Sequence, residues 1–213
     1  MKISIKLLLA CCLLWHFQLW ADTLEVDYSS FYSHVKKLDS PETDILRFAF
    51  GFQHISENRL CRIVNAKIHT QKQTIDLDVE NNSRFTVPTD KILKMAKAKV
   101  ILELDDQANQ CDMSVQLETL PDYLKKQYTQ EEVSLLLTQY QAFFEKMGGF
   151  LSFMMPSVEG LLFHFEPEVQ VSEQNLGLVD SNGKVSLKLP WFKRQQGLYF
   201  TIAPLRITAI VKK

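Results

Sequence analysis

Glycine is scarce in this chain: seven among 213 residues. No G-x-x-x-x-G-K-S/T or G-x-G-x-x-G stretch occurs, which removes the usual backbone cradles for nucleotide phosphates. There is no G-x-S-x-G nucleophile elbow, and no S-x-x-K with its partner motifs. Ser33 and His34 are adjacent only in sequence, which carries no catalytic geometry. Histidine is also sparse. Of five, His34, His54, His69 and His164 lie beyond the N-terminal leader, and none stands at a zinc spacing from another His or Cys. His164, Glu166 and Glu168 alternate as metal ligands on one strand face would. Pro167 interrupts them, so a solvated outer face is the better reading. Asp76-x-Asp78-x-Glu80 resembles the start of a calcium loop, but Asn81 stands where that loop needs Gly and Val87 where it needs a bidentate Glu. No metal or other cofactor is implied.

Charge of one sign is lacking too. The 24 basic and 25 acidic residues leave a net charge of −1, with no outstanding block of either sign. That argues against nucleic acid and against a polybasic membrane surface.

What is present begins with a leader. Lys2 and Lys6 precede an apolar run from Leu7 to Leu14, then Trp15–Trp20 and Ala21-Asp22. This is the layout of a signal peptide, interrupted by His16 and Gln18 and too short for a spanning helix. Leu8-Leu9-Ala10-Cys11 looks like a lipobox. Cleavage there would leave too short an apolar region before it, so cleavage after Ala21 is expected. The alternatives are a lipoprotein anchored at Cys11 and a retained N-terminal anchor. Loss of residues 1–21 makes the net charge two units more negative and leaves two cysteines, Cys61 and Cys111. An even count in an oxidising compartment predicts one disulfide between them. No transmembrane span is expected in the mature chain.

Hydrophobic periodicity predicts an α+β fold, mainly antiparallel β with sandwich-like sheets and a long amphipathic helix near 130–147. Tyr28, Phe31, Tyr32, Val35 and Leu38 form one face of a short helix, ended by Asp39-Ser-Pro41. Strands are expected at 45–55, 60–68, around Ile75, Leu77 and Val79, and at Arg84–Val87. Thr89 is placed as the cap of a brief helix over 90–97. Residues 99–105 and 111–118 are expected to form a hairpin, with Cys111, Met113, Val115 and Leu117 inward and Glu118 outward. Thr129 and Glu132 match a capping box ahead of a face made by Val133, Leu136, Leu137, Tyr140, Phe144 and Met147. Gly148-Gly149 closes that helix. Further strands are predicted at 161–165, 169–171, 184–189, 198–202 and 205–211, with a turn at Asp180–Gly183. Residues 81–88 and 181–190 share a turn–strand–proline pattern, so two related β units are one reading; the other is that this pattern is common in β proteins. The expected organisation is a leader at 1–21, an α+β unit with the disulfide at 22–120, and the long helix with a second β unit at 121–213. One compact domain is the alternative.

The uncharged stretch 149–158 concentrates large apolar side chains. It is read either as core beneath the long helix or as a groove for a lipid tail, a peptide or a partner. The candidate ligand-binding residues are Phe144, Phe150, Phe153, Met154, Met155 and Phe163.

The leader, the tyrosine-rich early helix, Cys61 followed by alternating strands, Arg84-Phe-Thr-Val-Pro88 and the strand beginning at Cys111 together resemble a family of gamma-proteobacterial envelope proteins. That family is known as a domain of unknown function. The resemblance covers most of residues 22–211. It implies a periplasmic location and carries over no catalytic residue. The expected function is therefore a non-enzymatic binding or envelope-interaction protein, with an apolar ligand or envelope protein as partner. The alternative is a hydrolase acting on envelope material through residues such as Glu159, Glu166 and Glu168.

Overall fold

A computed structural model describes residues 22–148, 157–166, 183–192 and 197–212. The leader, the expected strand at 169–171 and most of the 149–158 stretch lie outside the described residues. In chain order the elements are β1 (Asp22–Asp27), α1 (Tyr28–Val35), β2 (Leu46–His54), β3 (Ile63–His69), β4 (Thr74–Leu77) and α2 (Lys91–Met95). They continue with β5 (Lys99–Leu104), β6 (Cys111–Thr119), β7 (Gln127–Thr129), α3 (Gln130–Gly148) and β8 (Val158–His164). Then come β9 (Lys184–Lys188), α4 (Leu189–Phe192), β10 (Gly197–Tyr199) and β11 (Arg206–Val211). The fold is α+β and mainly antiparallel β.

The described strands form four small sheets, with orders β1-β5-β3-β4, β2-β6, β7-β10 and β9-β8-β11. The expected hairpin between 99–105 and 111–118 does not form. β5 is flanked by β1 and β3, while β6 pairs with β2 from Leu46↔Thr119 to His54↔Cys111. The reason is β1, a strand that the sequence reading did not anticipate. Its Leu24 and Val26 are only half-buried, so it carries the weak periodic signal of an edge strand. It nevertheless satisfies the outer hydrogen bonds of β5.

The disulfide does form. Cys61, just before β3, bonds to Cys111 at the start of β6, and so ties the first sheet to the β2–β6 pair. In the chain-entropy account, closing a loop of this separation contributes about 4 kcal/mol. Around it, the aromatic core brings Phe31 of α1 edge-on to Phe50 of β2, with Phe85 5.7 Å from Phe31.

The short helix α2 is fixed at both ends. Its cap is Asp90 rather than Thr89: the Asp90 carboxylate accepts from the Ile92 N–H at 2.6 Å. At the other end Lys97 N–H donates to Lys94 O and Ala98 N–H to Leu93 O, a Schellman closure. Lys97 occupies the left-handed position of this motif, at φ 52°. Glycine is the usual residue there, and a side chain costs about 1 kcal/mol.

No described helix is long and apolar enough to cross a membrane.

Candidate functional site

The long helix α3 organises the site. Its capping box forms as the sequence predicts: Glu132 Oε2 accepts from Thr129 N–H at 2.9 Å, and Thr129 Oγ1 accepts from Glu132 N–H at 3.2 Å. Its inner face is Val133, Leu136, Gln139, Tyr140 and Phe143. The expected face is therefore rotated in its second half. Phe143 rather than Phe144 is buried, and Met147 is exposed. Gln139 explains the rotation. It is a buried polar residue whose Oε1 accepts from Ile45 N–H at 3.0 Å and whose Nε2 donates to Asp44 Oδ1 at 2.6 Å. Satisfied in this way, it belongs inside. Tyr140 Oη donates to Ile207 O of β11 at 2.6 Å and lies 3.1 Å from Thr119 Oγ1 of β6. Burial raises its pKa far above the usual phenol value.

Among the described residues, one flank of α3 is open. Leu137 and Ala142 of the helix, Val158 of β8 and Leu189 of α4 give apolar walls to a groove of about 340 Å³. Thr138, Gln141 and Glu145 form its polar side. Gln141 is held in place at both ends. Its Oε1 accepts from Val158 N–H and its Nε2 donates to Glu145 Oε1, each at 3.0 Å. The groove is thus a firm seam between α3 and β8.

Of the six residues predicted to bind a ligand, Phe150, Phe153, Met154 and Met155 lie outside the described residues. Phe144 is half-buried, its ring edge-on to Phe143 at 5.4 Å. Phe163 is fully buried, its ring 5.0 Å from Phe200 and 5.8 Å from Tyr128, and it belongs to the core of the β8 sheet rather than to the groove. Alternation along β8 sends Phe163 to the same inner side as Leu161. Leu137, read from the sequence as part of the helix's apolar face, lines the groove instead, while Ala142 and Leu189 gave no separate signal because their residue types are ordinary in a helix.

The titratable groups also depart from expectation. Glu118, placed on an outer face by alternation, is 1% exposed. Its Oε1 accepts from Arg47 Nη2 at 2.6 Å, and Arg47 in turn reaches Glu80 at 2.7 Å. Burial raises the Glu118 pKa, against the pull of Arg47. Arg84 is buried beside it, with Nη1 3.4 Å from Ala49 O. Desolvation, then Arg206, lowers its pKa. Of the acids considered for hydrolysis, Glu159 lies 3.9 Å from Lys188, Glu166 is exposed, and Glu168 lies outside the described residues. His164 Nε2 lies 3.0 Å from Thr208 Oγ1, and its Nδ1 3.5 Å from Arg206 Nη2. Among the described residues no group of three or more His, Cys, Asp or Glu could hold a metal ion.

With this geometry in place, the comparison with known families is decisive on one point. The family described as "Protein of unknown function (DUF2987)" matches residues 20–165. The chain belongs to this family. The match begins at the threshold of β1 and ends just past β8, so it takes in the disulfide, α3 and every groove-lining residue but Leu189. No curated protein and no solved structure matches the chain.

Proposed function

We propose that this DUF2987 protein is exported to the periplasm of a Gram-negative cell and binds an apolar ligand there without transforming it. The observation that carries the reading is the groove between α3 and β8. Its Leu137, Ala142, Val158 and Leu189 offer methyl and methylene contacts, while Glu145 and Gln141 line the opposite side. That division suits a single acyl chain with an uncharged or hydrogen-bond-donating head. A carboxylate head would meet the charge of Glu145. Export is supported by the layout of residues 1–21 and by a disulfide suited to an oxidising compartment.

The test is displacement of a fluorescent naphthylamine dye by a monoacylglycerol. Ala142→Trp fills the groove from a half-exposed helix position and is expected to abolish dye binding with the unfolding midpoint unchanged. Full dye binding by a folded Ala142→Trp protein rejects the groove. Export is tested separately, by N-terminal mass spectrometry of protein from the periplasm. A mature chain beginning at Asp22 is expected, and a lipid on Cys11 rejects that cleavage.

A further inference from the structure

Residues 91–99 read KILKMAKAK: four lysines and no acid in nine residues. The balanced charge of the whole chain conceals this. In the fold the segment is α2 and its closure, and it presents a composite face. Ile92 is 74% and Met95 73% exposed, the most exposed of the large apolar side chains described. Three residues apart on a helix, they share a side. Leu93 is buried on the other side and pins the helix to the core.

Lys91, Lys94 and Lys97 are all exposed around this pair, and none makes an ion pair with a described residue. Lys94 is steadied by the Tyr32 ring, 5.3 Å from its Nζ. The neighbouring acids make other contacts. Asp90 caps α2, while Asp27 and Glu25 lie 2.7 and 3.5 Å from Lys99. Lys97 itself stands at the left-handed closure of the helix, at φ 52°, where glycine would relieve the backbone.

We propose that α2 docks the protein on an anionic lipid bilayer, with Ile92 and Met95 entering the boundary between headgroups and acyl chains and Lys91, Lys94 and Lys97 meeting lipid phosphates. Charge complementarity selects this occupant. Two apolar side chains beside three lysines that have no ion-pair partner among the described residues match the layered polarity of a bilayer surface. A protein partner would call for a broader apolar core with its charges at the rim. The docking face is independent of the ligand groove, which is built on α3, β8 and α4.

The experiment is co-sedimentation of the exported protein, purified from the cell envelope, with phosphatidylglycerol–phosphatidylethanolamine vesicles, against phosphatidylcholine vesicles as control. Binding to the anionic vesicles alone is expected, and it should fall steeply at about 0.5 M salt. Ile92→Ser/Met95→Ser changes only exposed side chains and is expected to weaken binding at least about ten-fold. Lys97→Gly separates docking from structure: it should weaken binding about five-fold while raising the melting temperature by a few degrees. Equal binding to both vesicle types overturns the proposal. So does retention of binding by the Ile92→Ser/Met95→Ser protein, or an unchanged affinity in a stabilised Lys97→Gly protein. Binding to an acidic polypeptide or to DNA, but not to the vesicles, likewise overturns it.

Discussion

Arg47 of β2 and Glu118 of β6 face each other across the antiparallel pair, with Arg47 Nη2 2.6 Å from Glu118 Oε1. The pair is directly cross-strand, and its carboxylate is almost wholly removed from water. A charge buried in this way is tolerable only with its partner in place. Arg47 therefore joins the β2–β6 pair to the turn that carries Glu80.

Glu118→Ala is expected to lose about 3 kcal/mol, because it strips Arg47 of its buried partner. Glu118→Gln should cost less and should also alter the response to pH. The raised pKa of Glu118 means that the native state holds its proton more tightly than the unfolded chain. Its stabilising effect is complete below the ordinary carboxylate pKa and is lost as pH rises through the higher folded value. The deficit of Glu118→Gln relative to wild type should therefore shrink from pH 4 to neutrality. Urea titrations at several pH values measure it, and a deficit growing with pH contradicts the assignment.

Asp106 behaves in the opposite sense. Hydrogen bonds from Arg59, at 2.6 and 3.0 Å, hold its carboxyl down at about 2. That contribution is whole above the unfolded value of 3.8 and disappears as pH falls toward 2. Asp106→Asn should flatten the acid limb of the melting-temperature profile between these values and change little at neutral pH beyond a constant offset. An unchanged acid limb removes Asp106 from the account.

Reduction of Cys61–Cys111, or Cys61→Ser/Cys111→Ser, should cost about 4 kcal/mol and lower the denaturant midpoint with the protein still folded in water. Thiol labelling of the protein should give no adduct until reductant is added. Two labelled thiols without reductant would contradict the bridge.

Gly160 of β8 lies against β9, where an added Cβ would stand 2.2 Å from Leu187 O. Gly160→Ala must therefore push two paired strands apart, and should destabilise by about 3 kcal/mol. Hydrogen exchange in β9 should rise in the variant, and native protection there would reject the close contact.

The long helix was the most legible element. A capping box and an apolar stripe are local signals; α3 has the capping box, and its inner face follows the stripe through Val133, Leu136 and Tyr140 before turning to Phe143. The strand positions of β2, β6, β8 and β9 were legible for the same reason, since alternation needs no knowledge of the neighbouring strand. The half-buried alternation of β4 was likewise visible along the chain. The groove was legible only as a region. Its neighbourhood at the end of α3 was indicated by the apolar stretch, but its walls come from Leu137, Ala142, Val158 and Leu189, three separate elements brought together by folding.

The sequence by itself determined most of the element types, the capped helix and the pairing of Cys61 with Cys111, because these follow from side-chain spacing and residue count along the chain. Only the tertiary structure decided that residues 22–27 pair with 99–104, and that Glu118 turns inward to Arg47. It also decided that Gln139 belongs to the core and that Ile92 and Met95 stand exposed among lysines. Each of these depends on a group distant in the chain. Strand pairing is settled by which edge arrives to satisfy a ladder. A polar residue is buried only where a remote donor or acceptor is waiting for it.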